Sequence, residues 1–162
     1  MKNMVRVILE RLNNWIQALS AVLLGIMTLL VIMQIFFRYI LGNPLGETQE
    51  LSIYAMVWVI MLGSTIAVRN KTHIAVSYFV ELLPGSIART VRGICYLLTI
   101  AFFAILSYQG WALMIRAMLQ RSPSTGLPVG YVVAAIPVCA VISIFYVAEQ
   151  MISFKKQSDS QR

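Results

Sequence analysis

The hydrophobic pattern of this 162-residue chain consists of four long apolar runs separated by short polar segments. Each run comes close to the roughly 20 apolar residues that a transmembrane helix needs to cross a bilayer. The runs cover residues 19–37, 51–68, 94–115 and 131–148. Because backbone groups in lipid must be hydrogen-bonded within their own segment, the pattern predicts four transmembrane α-helices. Pro137 lies inside the fourth run and is expected either to kink that helix or to mark a face packed against protein.

A fifth apolar segment, residues 73–83, is too short to cross a bilayer. Read as a helix, it places His73, Ser77 and Glu81 on one narrow face, and the rest of the helix is apolar. This pattern predicts a short amphipathic helix at the membrane interface. The predicted fold class is therefore an all-α membrane protein. It consists of one integral membrane domain, 1–162, with four transmembrane helices and one interfacial helix.

Composition and charge support this prediction and exclude a soluble domain. Hydrophobic residues make up 59% of the chain and charged residues 12%, about half the usual charged share. The net charge of +7 would suggest nucleic-acid binding in a soluble protein, but here the basic residues flank the apolar runs. Of 13 Lys and Arg residues, ten fall on the side of the two termini and three on the other side. This asymmetry predicts an N-in/C-in topology, with both termini and the interfacial helix in the cytoplasm.

Two glutamates at the start of the second run are the first candidates for chemistry. Glu47 and Glu50 are three residues apart and would share a helix face. Carboxylates at a helix N-terminus also meet the positive end of the helix dipole, and Arg38 at the end of the first run is a plausible ion-pair partner. Glu50 and His73 would lie roughly 30 Å apart on opposite membrane faces, because a helix rises 1.5 Å per residue. The sequence therefore predicts contact roles for these residues and no shared reaction centre.

Several functional classes lack the residues that they require. No acidic or basic residue lies deep within a run, whereas a self-sufficient ion-coupled carrier usually needs one there. The chain has one histidine, too few for a membrane haem held by two histidines or for a zinc site. No nucleotide-binding or serine-hydrolase motif occurs. We therefore expect neither catalysis nor a cofactor or metal, and we favour a subunit of a larger machine. The alternative is a membrane anchor of a redox enzyme complex.

Small and aromatic residues suggest where helices meet. Gly63 and Ala67 form a small-xxx-small pair in the second run, and Ala21 and Gly25 form one in the first. Such pairs allow two helices to approach closely, either within this chain or with a partner. Trp58 lies in the middle of the second run and is expected to pack. Beyond that run, Arg69, Lys71 and His73 are candidates for contacts with a partner or with anionic phospholipid headgroups.

A series of motifs resembles the DctQ-like small membrane subunit of tripartite ATP-independent periplasmic (TRAP) transporters. The first run ends in FRYILGNP, and E-x-x-E-L opens the second. The segment WVIMLGSTIAVRNKTHIAV follows, with its tryptophan, its Leu-Gly pair and its R-x-x-x-H exit, and then ELLP. SPSTGLPVGYVVAAIP opens the fourth run. Each motif alone is weak, but their order and spacing over roughly residues 15–151 are fairly specific.

The resemblance implies a function for the whole chain. Such subunits pair with a large multi-span membrane subunit that carries the substrate and sodium sites, and a periplasmic substrate-binding protein docks on the outer face. Substrates are typically organic acids such as C4-dicarboxylates, sialic acid and other sugar or keto acids. The small subunit is then expected to be a non-catalytic scaffold in the bacterial inner membrane. Arg38, Glu47 and Glu50 would lie on its periplasmic side, near the docking surface.

Overall fold

The structure is a computed structural model that describes residues 2–42, 46–70 and 85–159, with side chains for 7–42, 46–70 and 90–152. Five helices occupy these residues in chain order. They are α1 (Lys2–Tyr39), α2 (Gly46–Arg69), α3 (Gly85–Ala117), α4 (Gly130–Val133) and α5 (Ala135–Asp159). The predicted all-α fold is confirmed for the described residues, where four helical stretches are long and apolar enough to cross a membrane. The predicted interfacial helix, 73–83, lies outside them.

The first helix is longer than the apolar run that predicts it. α1 has 38 residues and its apolar part, Val7–Tyr39, has 33. At 1.5 Å per residue, α1 is about 57 Å long, whereas the hydrocarbon core of a bilayer is about 30 Å thick. The predicted span begins at residue 19. Residues 1–24 contain no proline or glycine, so the sequence has no helix breaker between the start of α1 and that span. The start of α1 therefore extends beyond the hydrocarbon core.

The fourth span is broken into α4 and α5 because of a proline. Pro137 has no N–H to donate to the carbonyl of Val133, and its ring crowds that carbonyl. The regular helix accordingly stops at Val133 and resumes at Ala135. Hydrogen bonds still run across the interruption. The Ala134 amide donates to Gly130 O (2.9 Å), and the Val138 amide donates to Ala134 O (3.3 Å). The interruption lies at Ala134, three residues before the proline.

The spans form a row in which α1 packs on α2, α2 on α5 and α5 on α3. Buried residues make up 44% of the most apolar stretch of the fourth span and 28% of that of the second. For the third span the share is 6%, and for the first it is zero. The core consequently lies around α2 and α5. Its buried members are Ile16, Leu62, Val68, Phe103, Cys139, Ala140, Tyr146 and Val147.

The helices end on two faces of the bundle, the terminal face and the loop face. The terminal face carries the start of α1 and the ends of α2 and α5. The loop face carries the end of α1, the start of α2 and residues 118–129. On the loop face, Gly42 and Gly126 have φ of 64° and 68°, a left-handed conformation that glycine adopts without strain. Residues 118–129 form a compact loop closed by backbone hydrogen bonds from Ser122 N to Leu127 O (3.0 Å) and from Val129 N to Gln120 O (3.0 Å).

Candidate functional site

The structure gathers polar side chains into two clusters, one on each face. The loop-face cluster consists of Glu50, Ser122 and Thr125. The terminal-face cluster consists of Arg69, Tyr146, Glu149 and Gln150. Both join α2 to the last third of the chain, and α2 runs the full distance between them.

Glu50 in the loop-face cluster holds the 118–129 loop against the start of α2. Its Oε2 accepts a hydrogen bond from the backbone amide of Thr125 at 2.9 Å. The hydroxyl of Thr125 donates to Ser122 Oγ at 3.0 Å, and the Ser122 side chain also interacts with the Glu50 carboxylate. A Cβ added to Gly46 would lie 3.2 Å from Ser124 Oγ, so the helix start and the loop are closely apposed. Glu50 is thus a structural link between two separate parts of the loop face.

The other residues expected on this face behave differently from the prediction. Arg38 was a plausible partner of the two glutamates, but its guanidinium carbon lies 5.6 Å from the ring centroid of Tyr39. Glu47 is exposed in the first turn of α2. Among the described contacts, none pairs Arg38 with Glu47 or Glu50. The expected ion pair is therefore wrong for Glu50, because the backbone amide of Thr125 lies within hydrogen-bonding distance of that carboxylate and Arg38 does not.

The role of Glu50 leads to a local prediction. Glu50→Ala should speed hydrogen exchange at the Thr125 amide several-fold, since that amide loses its acceptor. Glu47→Ala is the matched control, because Glu47 is also an acid in the first turns of α2 but does not contact the loop. Hydrogen–deuterium exchange of the detergent-solubilised protein, read by mass spectrometry over residues 118–129, measures both. Equal exchange in the two variants would show that Glu50 does not hold the loop.

The terminal-face cluster joins the end of α2 to α5. The guanidinium of Arg69 donates a hydrogen bond to Glu149 Oε2 and forms an ion pair with it. The same guanidinium lies 5.1 Å from the ring centroid of Tyr146, which is completely buried. The Gln150 side-chain amide donates to the carbonyls of Val68 at 2.9 Å and of Arg69 at 3.1 Å. Gln150 thereby satisfies carbonyls that the end of α2 would leave without a helical partner.

Four further site candidates remain, of which two have described positions and two do not. Trp58 is half-buried and packs against the core, as expected for a mid-span aromatic. Gly63 is exposed, and a Cβ added there would meet no atom within 4 Å, so it does not serve packing inside this chain. Lys71 and His73 lie outside the described residues, and their contact roles stay predictions.

The close helix contact lies instead at Gly110 in α3. A Cβ added there would lie 2.9 Å from Ile136 Cγ2 and 3.1 Å from Pro137 Cδ. At the end of α3, a Cβ on Gly130 would lie 2.6 Å from Met118 Cγ. These two glycines let α3 approach the fourth span. Neither belongs to a small-xxx-small pair singled out from the sequence.

Sequence reasoning singled out one member of each cluster, Glu50 and Arg69. Glu149 and Gln150 directly follow the predicted fourth span, on the face where Arg69 leaves the second. An acid and a base at helix ends on one face are a detectable signal for an ion pair. Ser122 and Thr125 were noted only as part of a turn. The buried hydroxyl pair between α2 and α5, Ser143 Oγ to Thr65 Oγ1 at 3.5 Å, had no signal beyond its polarity.

Both clusters are built for holding helices together. In the described part of the chain, no group of three or more His, Cys, Asp or Glu side chains could hold a metal ion. Glu50 and Glu149 each bind a donor of the protein itself, at opposite ends of α2. The arrangement therefore supports a rigid membrane scaffold.

Comparison with known proteins gives this architecture a family. Residues 27–156 match the profile of the DctQ component of tripartite ATP-independent periplasmic transporters. A Haemophilus influenzae protein provisionally named a TRAP transporter small permease protein is 29% identical over 156 residues, which cover 94% of this chain and 93% of that protein. The Vibrio cholerae sialic acid TRAP transporter small permease protein SiaQ is 21% identical over 148 residues. These residues cover 90% of this chain and 84% of SiaQ.

A third relative has a different size. The Haemophilus influenzae sialic acid TRAP transporter permease protein SiaT is 27% identical over 149 residues. These residues cover 91% of this chain but only 24% of SiaT. In that relative, a segment similar to this chain is thus part of one much longer permease protein.

Proposed function

The chain belongs to the DctQ component family of TRAP transporters, as a small permease subunit of a transporter and not an enzyme, and we propose that it is a non-catalytic scaffold for a large permease subunit. In this proposal the large subunit carries the substrate and sodium sites. A periplasmic substrate-binding protein delivers the substrate to the assembled pair. The cargo is an organic acid, since the relatives named for a substrate are named for sialic acid or C4-dicarboxylate, which are both carboxylates.

The observation that carries the proposal is the absence of charge from the middle of every span. Residues 12–37, 51–68, 93–115 and 130–148 contain no Asp, Glu, Lys, Arg or His. Ion-coupled carriers usually use ionisable residues inside the membrane as parts of their ion pathways. The polar clusters of this chain lie at the helix ends and bind its own groups. These features support a chain that holds a partner in place while the partner transports.

A redox anchor is the alternative that the sequence left open. It would supply haem ligands or quinone-site residues, and a single histidine cannot supply a bis-histidine haem site. The TRAP relatives give that alternative no support.

Co-purification and transport together test the scaffold function. A tagged copy of this chain, expressed with a candidate large TRAP permease chain, should recover that chain from detergent extracts. Proteoliposomes holding both chains should take up an organic acid when supplied with sodium and the binding protein. Proteoliposomes with this chain alone should show no uptake. Uptake by the isolated chain would overturn the proposal, as would recovery of a redox complex in place of the permease.

The chain is a multi-pass inner membrane protein, and we propose that its terminal face is cytoplasmic. The support is the ten-to-three distribution of Lys and Arg between the two sides. Reporter fusions provide the test. Alkaline phosphatase, which is active only in the periplasm, should be inactive when fused after Arg162 and active when inserted in the 118–129 loop. The reverse pattern would invert the topology without affecting the scaffold function.

A further inference from the structure

Gln109 is an exposed polar side chain within the third span. It lies on the outside of α3, and its amide forms no hydrogen bond within the described part of the chain. Some span hydroxyls bond their own helix instead. Those of Thr28 and Thr99, for example, donate to the carbonyls four residues earlier, Leu24 and Cys95, at 2.8 Å each. Because a glutamine side chain carries two donors and an acceptor, its hydrogen-bonding needs are larger than those of a hydroxyl.

The depth of Gln109 makes this exposure costly in lipid. The span Thr90–Ala117 has 28 residues and is about 42 Å long, so roughly its 20 central residues lie in the hydrocarbon core. Gln109 lies among them, eight residues and about 12 Å before the end of the span. Lipid tails offer no hydrogen-bonding group, and an amide without a partner is unfavourable in such surroundings. The outside of α3 is therefore poorly suited to contact with lipid at this depth.

Helical spacing defines the surface around Gln109. Every third or fourth residue of α3 shares its face. We call this surface the Gln109 face, and it consists of Leu98, Phe102, Ile105, Gln109 and Ala112. Its members are exposed, except that Ala112 is half-buried. A neighbouring side of α3, about 100° around the helix, packs on α5 through the buried Phe103 and Gly110.

The outward stripes of α1 and α5 contain no polar side chain. That of α1 consists of Val22, Ile26, Leu29 and Met33, and that of α5 of Val138, Val141, Phe145 and Ile152. All of these side chains are exposed and apolar, which suits lipid contact. The Gln109 face combines equally exposed apolar side chains with one unsatisfied amide, which suits a protein surface within the membrane.

On the premise of the small-subunit function proposed above, we propose that the Gln109 face packs against a transmembrane helix of the large permease chain, with the Gln109 amide hydrogen-bonded across the contact. A transmembrane helix can offer both an apolar surface to Phe102 and Ile105 and a polar group at the depth of Gln109. The partner's class follows from SiaT, in which a segment similar to this chain is part of a longer permease protein. Continuity with a larger permease places a membrane-embedded partner beside such a segment.

Site-specific photo-crosslinking in the intact complex tests the contact. Benzoylphenylalanine introduced at Gln109 or Ile105 should form an adduct with the large permease chain, identified by mass spectrometry. Ile26 and Phe145, on the stripes of α1 and α5, are matched control positions and should form none. Three results would overturn the proposal. These are adducts with lipid only, adducts with a second copy of this chain, and permease adducts at the control positions but not at the Gln109 face.

A substitution tests the amide itself. Gln109→Leu removes the hydrogen-bonding group at similar size and should weaken binding to the co-purified permease about 3- to 20-fold, the range of interhelical hydrogen bonds in membranes. Thr28→Val is the control, since it removes a polar group of α1 that already bonds its own helix. Equal affinity of Gln109→Leu and wild type would overturn the proposed hydrogen bond and leave the scaffold function standing. If wild type itself binds no permease, it is the scaffold function that fails.

Discussion

Replacing Glu149 with alanine is expected to lower the free energy of unfolding by about 2–3 kcal/mol. Removing one member of a fully buried ion pair costs roughly 3–5 kcal/mol, because the remaining charge has no partner. The Arg69 and Glu149 side chains are 14% and 22% exposed, so solvent or headgroups screen part of that cost. Titration of the protein from mild micelles into dodecyl sulfate, followed by circular dichroism, measures the change.

A double-mutant cycle gives this prediction its control. Arg69→Met alone should also destabilise the protein, through loss of both the ion pair and the contact with the Tyr146 ring. The double variant, which combines Arg69→Met with Glu149→Ala, should cost less than the two single changes together, because no unpaired charge is left. Strictly additive costs would show that the two side chains do not interact in the folded protein.

The Arg69–Glu149 pair also shows how far the sequence predicts this fold. The apolar runs predicted four spans, and four spans put the ends of α2 and α5 on one face, where Arg69 and Glu149 both lie. Their pairing depends on how α2 and α5 are rotated about their axes. Because both helices are apolar on nearly every side, the sequence contains no stripe from which that rotation could be read. The number and order of the spans were therefore predictable from the sequence, whereas the pairing of side chains between them was not.

The loop face shows the same limit of prediction from the sequence. Glu50 lies at the start of the second span, as expected. Its partner turned out to be the backbone amide of Thr125, 75 residues away in sequence. A backbone amide in a distant loop has no sequence signal, whereas an arginine at the end of the preceding helix has a conspicuous one. The expectation therefore favoured Arg38, the charged residue nearest in sequence.

The glycines that the sequence pattern assigned to helix contacts are not those that the structure places there. The small-xxx-small pairs directed attention to Gly25 and Gly63, yet both have open space where a Cβ would lie. Gly110 has no such partner at spacing four, but it faces Ile136 and Pro137 of the neighbouring span. A close helix approach depends on which side of a helix a glycine occupies. In an evenly apolar span, that side is visible only in the structure.

Gly110→Ala is accordingly expected to destabilise the protein by about 1–3 kcal/mol, the usual cost of overpacking a filled contact. The added Cβ would lie 2.9 Å from Ile136 Cγ2 and 3.3 Å from the backbone nitrogen of Pro137. Neither atom can retreat easily. The first is on the branched Cβ of Ile136, and the second belongs to a backbone segment whose φ is fixed by the proline ring. The same dodecyl sulfate titration measures the loss, together with a weaker association of α3 with α5.

Gly63→Ala provides the matched control, because it adds the same methyl group to a span position without neighbours within 4 Å. It should leave stability unchanged or raise it by up to about 1 kcal/mol, since alanine favours helix over glycine. Equal effects of the two substitutions would mean that α3 and the fourth span do not approach closely at Gly110. Permease binding separates their roles further. If Gly63→Ala folded normally but lost the permease, the partner would contact the open face of α2, and the Gln109 face of α3 would no longer account for the whole interface.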